Sequence, residues 1–92
     1  MKNVKVEQMT NCAGNKVKNQ FIINTDDGVY FQSYASIIAF QSNKKEKIYL
    51  DKTTWDYSTT TGKYRNQFLG ERIAETHKKI ESGEYTLIDL ND

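Results

Sequence analysis

Two cations, Lys63 and Arg65, fall in the opening turns of what the sequence marks as a helix, directly after the hydroxyl run Ser58, Thr59, Thr60 and Thr61. The first turn of a helix points unpaired N–H groups outward and carries partial positive charge, so it favours acids over Lys or Arg. Anion recognition would reverse that preference, because N–H groups, hydroxyls and two cations would converge on a phosphate. A structural reading competes with it. Ser58 or Thr59 would cap the helix, Trp55 and Tyr57 would staple its start onto the core, and Lys63 and Arg65 would be solvated. Thr61-Gly62-Lys63 does not complete a nucleotide-hydrolysing P-loop. That motif also needs a glycine five residues before Gly62 and a Ser or Thr after the lysine, and the chain has neither.

Other chemistry finds less support. His77 is the single histidine and lies at helical spacing from Ile73 and Ile80, as a helix-face residue would. Cys12 stands in no motif. The Asp26-Asp27 pair lacks the spaced oxygen ligands of a calcium loop and reads as turn chemistry. The chain is therefore expected to be a non-enzyme with no metal and no cofactor.

The elements that must position these residues follow from periodicity. Val4, Val6 and Met9 suggest a first strand, and Thr10–Asn15 with Gly14 a polar turn. Val17–Asn24 and Val29–Tyr34 flank Thr25-Asp26-Asp27-Gly28, whose Asp-Gly pair suits a tight hairpin. On the second of these strands Val29 and Phe31 share one face and Tyr30, Gln32 and Tyr34 the other, so the tyrosines are expected to be partly exposed. Ser36–Gln41 and Lys47–Asp51 add two more strands around the polar tip Ser42–Lys45. Tyr64, Phe68, Leu69, Ile73, His77 and Ile80 recur at helical spacing, with Gly70 marking a kink, a break or a close approach to the sheet. Gly83 stops the pattern, and Tyr85, Leu87, Ile88 and Leu90 form a closing strand or an extended tail. The predicted class is α+β: an antiparallel sheet of about five strands, a meander of hairpins, with one kinked helix or two short helices packed on one face.

Composition bounds the rest. Ninety-two residues make one domain, residues 1–92, with 37% hydrophobic and 27% charged residues and no proline. One cysteine allows no internal disulfide, which fits a reducing compartment. The longest apolar run, Ile37–Phe40, is far short of a membrane span, and the Met1–Val4 start leads into no signal-peptide core, so a cytoplasmic protein is expected. Net charge is +1, but its distribution is uneven. Residues 44–65 carry six Lys and Arg against three acids, whereas residues 66–92 carry three against six.

Taken in order, Phe31-Gln32-Ser33-Tyr34, Ile48-Tyr49-Leu50-Asp51, Trp55-Asp56-Tyr57-Ser58, Thr60–Asn66, Phe68-Leu69 and Ser82-Gly83-Glu84-Tyr85 give the chain a likeness from about residue 29 to residue 91. It resembles a group of small uncharacterised proteins encoded by bacteriophages and prophages of Gram-positive bacteria. The resemblance implies a context, a phage-type accessory protein in the cytoplasm of a host bacterium, and favours binding over catalysis. Two binding readings follow. In the first, nucleic acid is bound through the basic helix start: Lys63 and Arg65, with Lys44, Lys45, Lys47 and Lys52 nearby, contact phosphates while an exposed tyrosine stacks on a base. Ser58, Thr59, Thr60 and Thr61 complete that site. In the second, Trp55, Tyr57, Tyr64 and Arg65 anchor a host protein that the chain inhibits or regulates. A homo-oligomer built by pairing an exposed β edge is a third.

Overall fold

The structure is a computed structural model that describes residues 4–44 and 47–91. Five strands run antiparallel in chain order: β1 (Val4–Thr10), β2 (Lys16–Thr25), β3 (Gly28–Ser33), β4 (Ser36–Ser42) and β5 (Ile48–Asp51). Tight turns set their registers. The Asn11 carboxamide oxygen accepts the N–H groups of Ala13 and Asn15, each at 3.0 Å, and so closes the first turn. At the second, Gly28 adopts φ +149°, and a Cβ there would collide with the carbonyl oxygen of Gln41 on the next strand. Only glycine fits that approach.

Register then sorts the side chains by face. Phe31 lies opposite Ala39 and Ala39 opposite Leu50, and all three are fully buried on one side of the sheet. A register shift in β4 leaves Ile38 as an extra residue that is also fully buried. A bulge of this kind places two successive residues on the core side. Tyr34 departs from the expected strand: it occupies the β3–β4 turn, with φ 56° and its side chain exposed. The two-residue turn between Ser33 and Ser36 demands that left-handed geometry.

The helical pattern resolves into two helices, α1 (Thr59–Leu69) and α2 (Ile73–Glu81). Gly70 ends α1 in the left-handed region at φ 70°, and its N–H bonds to Asn66 O at 2.8 Å. Of the alternatives open to Gly70, the break is the one realised. The closing segment is a sixth strand, β6 (Tyr85–Ile88), which pairs parallel to β5. Parallel neighbours need a long crossover, and α1 and α2 are that crossover. Tyr64 and Phe68 of α1 pack on the Phe31 face, the Phe68 and Phe31 rings 5.8 Å apart. The α+β class with two short helices on one face thus stands, with six strands.

Two buried carboxylates fasten the crossover. Glu71, in the link between the helices, accepts Thr76 Oγ1–H at 2.6 Å, Lys79 Nζ–H at 2.7 Å and Tyr85 Oη–H at 2.8 Å. Asp51, at the end of β5, accepts the N–H and hydroxyl of Thr54 and the N–H of Leu90. Burial alone raises both carboxyls, but these hydrogen bonds outweigh it and hold each below its ordinary value. Burial and the bond to Glu71 push the Tyr85 hydroxyl up to about 12.

A carboxyl with a depressed folded pKa stabilises fully above its unfolded value, and that contribution is lost as pH falls through the folded one. Glu71→Gln is therefore expected to lower stability at pH 7 and to differ progressively less from wild type as pH drops below about 4. Urea titrations at several pH values check this; a gap that widens toward acid would contradict it.

Candidate functional site

The start of α1 is built by a capped turn. Ser58 is the N-cap, with its hydroxyl accepting Thr61 N–H at 3.1 Å. Thr61 is fully buried, and its own hydroxyl meets Ser58 Oγ at 3.1 Å and Ser33 Oγ at 2.9 Å. The hydroxyl run thus divides: Thr61 ties the helix to β3, whereas Ser58, Thr59 and Thr60 remain exposed.

Arg65 departs furthest from a solvated cation. Only 2% of it is exposed, and its guanidinium donates to Trp55 O at 2.8 Å, Asp56 Oδ1 at 3.1 Å and Asn66 Oδ1 at 2.9 Å. It also lies 5.3 Å from the centre of the Trp55 ring. Gly62 lies beside the guanidinium, and a Cβ there would make an ordinary contact at 3.6 Å with Arg65 Nη2. The guanidinium therefore fastens the loop before α1 to the helix, and its placement against the dipole is offset by carbonyl and carboxylate oxygens. Tyr64 is buried in the core, and Trp55 is half-buried, edge-on to the exposed His77 ring at 5.3 Å. Tyr57 does not staple the helix start, being 63% exposed.

Lys63 and Lys52 are left in solvent, with Lys63 Nζ 5.4 Å from the centre of the Tyr64 ring. Lys63 borders an open depression of about 620 Å³ that Asp56, Ser58, Thr59 and Asn66 also line. Lys44 and Lys47 are exposed but lie at the opposite end of β5 from Lys52, while α1 meets the sheet at Ser33, the Lys52 end. The basic residues that are adjacent in sequence are therefore split between the two ends of the sheet. Lys45 lies outside the described residues.

A second surface emerges from the register. Val6, Ile23, Tyr30, Phe40, Tyr49 and Thr86 face one another in turn across all six strands, on the side away from Phe31. The Tyr30 and Phe40 rings stack at 4.3 Å and the Phe40 and Tyr49 rings at 6.2 Å. On either side run Val4, Thr25, Gly28 and Ser42, and Gln8, Phe21, Gln32 and Ile37. The central row carries no charge, and the first flanking row continues from Ser42 to the exposed Lys47, whose carbonyl oxygen accepts Ser42 N–H at 2.8 Å. α1 and α2 pack on the opposite face, so this aromatic row is half-exposed. The sequence does place Tyr30 on a wetter face. Aligning it with Phe40 and Tyr49 requires strand registers that the sequence does not carry.

Among the described residues, no group of three or more His, Cys, Asp or Glu side chains is placed to hold a metal ion. Cys12 is a free, exposed thiol. No described helix is long and apolar enough to cross a membrane.

A family model described as a family of unknown function, DUF8033, matches residues 4–86. No curated protein and no solved structure matches the chain.

Arg65→Ala is expected to destabilise the fold by about 2–4 kcal/mol, because it removes three hydrogen bonds and empties a buried site. Lys63→Ala is expected to change stability by less than about 0.5 kcal/mol. Denaturant titration of both variants checks the contrast; equal, small effects would show that Arg65 is not a fastening.

Proposed function

This chain belongs to the DUF8033 family, a family of unknown function, and from its geometry we propose a non-catalytic binding protein that docks a partner protein on the outer face of its sheet. The observation that carries this reading is the uncharged aromatic row Tyr30, Phe40 and Tyr49, flanked by Ile23 and Val6. Interface centres are depleted of charge and enriched in aromatic side chains, and tyrosine is a frequent anchor. Phosphate recognition would instead need cations, which the aromatic row lacks, and Arg65 is already committed to Trp55, Asp56 and Asn66. A regulator or inhibitor that works by occupying its target needs no more than such a surface. The phage-accessory context and a cytoplasmic setting belong to the same proposal.

Nucleic-acid binding at the start of α1 is the second reading. One observation favours it: the first turn holds no acid, and Thr59, Thr60, Lys63 and Tyr57 are all exposed beside it. Lys52 would extend that site.

The two readings separate by mutation. In pull-downs from bacterial lysate, Tyr49→Glu is expected to abolish a partner protein that wild type and Lys63→Ala both retain. The same chains would be titrated with mixed-sequence single-stranded oligonucleotides at low and high salt. Salt-sensitive binding that Lys63→Ala weakens and Tyr49→Glu spares would overturn the first reading in favour of the second.

A further inference from the structure

β1 is the first strand in the sheet order, and no described element pairs with its outer edge. Ladder alternation fixes which backbone groups point there. Ser42 N–H donates to Lys47 O toward β5 at 2.8 Å, and Asn43 N–H donates to Asp27 O toward β3 at 3.0 Å. Val29 and Phe31 therefore exchange bonds with β4, while Gly28, Tyr30 and Gln32 exchange them with β2. One strand further, Ile22 and Asn24 are left to bond β1 through their partners Glu7 and Lys5. The N–H and C=O groups of Val4, Val6 and Gln8 then point away from the sheet.

We infer that this edge pairs with the β1 edge of a second copy of the chain, antiparallel about a two-fold axis through Val6. The outward groups of Val4, Val6 and Gln8 must meet one another, which restricts the register. Centred on Val6, Val6 faces Val6, Val4 faces Gln8, and Lys5 faces Glu7 at both of its occurrences. Lys5 and Glu7 then form the closer, non-hydrogen-bonded pairs, whose side chains are nearest. A slip of two residues in either direction sets Lys5 against Lys5 or Glu7 against Glu7, which opposes it. Charge on an edge strand ordinarily guards against such pairing, but here the signs alternate so that the strand complements its own copy.

Three details fit this partner. Lys5 Nζ and Glu7 Oε1 approach only to 3.6 Å within one chain, and their side chains are 77% and 56% exposed, so both are free to take a better partner. Val6 is 58% exposed, and pairing would join the apolar rows of two sheets through it. The pairing segment also has a built stop: the ladder shifts between Gln8 and Thr10, and Gln67 Nε2 donates to Thr10 O at 2.8 Å. The inference is independent of what docks on the outer face.

Sedimentation equilibrium across a concentration series tests it, with circular dichroism to establish that each chain is folded. Wild type is expected to dimerise, and Lys5→Glu and Glu7→Lys are each expected to weaken the dimer by about tenfold or more. An equimolar mixture of the two variants is expected to form a heterodimer, since one chain then presents only acids and the other only bases at positions 5 and 7. A monomeric wild type, a dimer indifferent to both substitutions, or variants that fail to associate on mixing would each overturn the inference.

Discussion

The parallel pairing of β6 with β5 is the constraint on which the rest of the structure depends. A parallel neighbour cannot be reached through a tight turn, so the chain leaves the end of β5, crosses one face as α1 and α2, and returns. That passage decides which face of the sheet is core. Phe31, Ala39 and Leu50 fall under the helices, and Tyr30, Phe40 and Tyr49, their immediate neighbours in sequence, fall on the side the helices do not reach.

Polar side chains hold the crossover at its corners. Asp51 collects the backbone where β5 ends and the tail returns, and Arg65 draws the loop before α1 against the helix. Glu71 binds the interhelical link to α2 and to the first residue of β6. In a chain of this size, with a small apolar core, such buried and hydrogen-bonded charges specify how the elements meet. The same reasoning accounts for the two cations near a helix N-terminus. Arg65 is there because its two terminal guanidinium nitrogens reach the oxygens of Trp55, Asp56 and Asn66, whereas Lys63 has no comparable structural duty.

Much of the fold is legible in the residues. Alternation and the turn at Asp26-Asp27-Gly28 mark the strands, and Gly70 and Gly83 mark where the helices stop. The parallel direction of β6 is not legible, because Tyr85–Ile88 reads the same whichever way it pairs. Nor is the burial of Arg65, since a surface arginine and one that reaches back to the Trp55 carbonyl have identical local sequences. The outer aromatic row escapes for a related reason: Tyr30, Phe40 and Tyr49 are each about ten residues apart, and their alignment depends on two turns and a bulge. Capping, by contrast, is a local device, and Ser58 is found where the hydroxyl run places it.

The proposed docking surface is the outer sheet face, and the start of α1 is its alternative. Photo-cross-linking inside bacteria that express the chain reads this directly, with a photoreactive residue placed at Tyr49 in one chain and at Lys63 in another. An adduct to a protein from position 49, with none from position 63, is the predicted result. Adducts from position 63 alone, whether to protein or to nucleic acid, would contradict it.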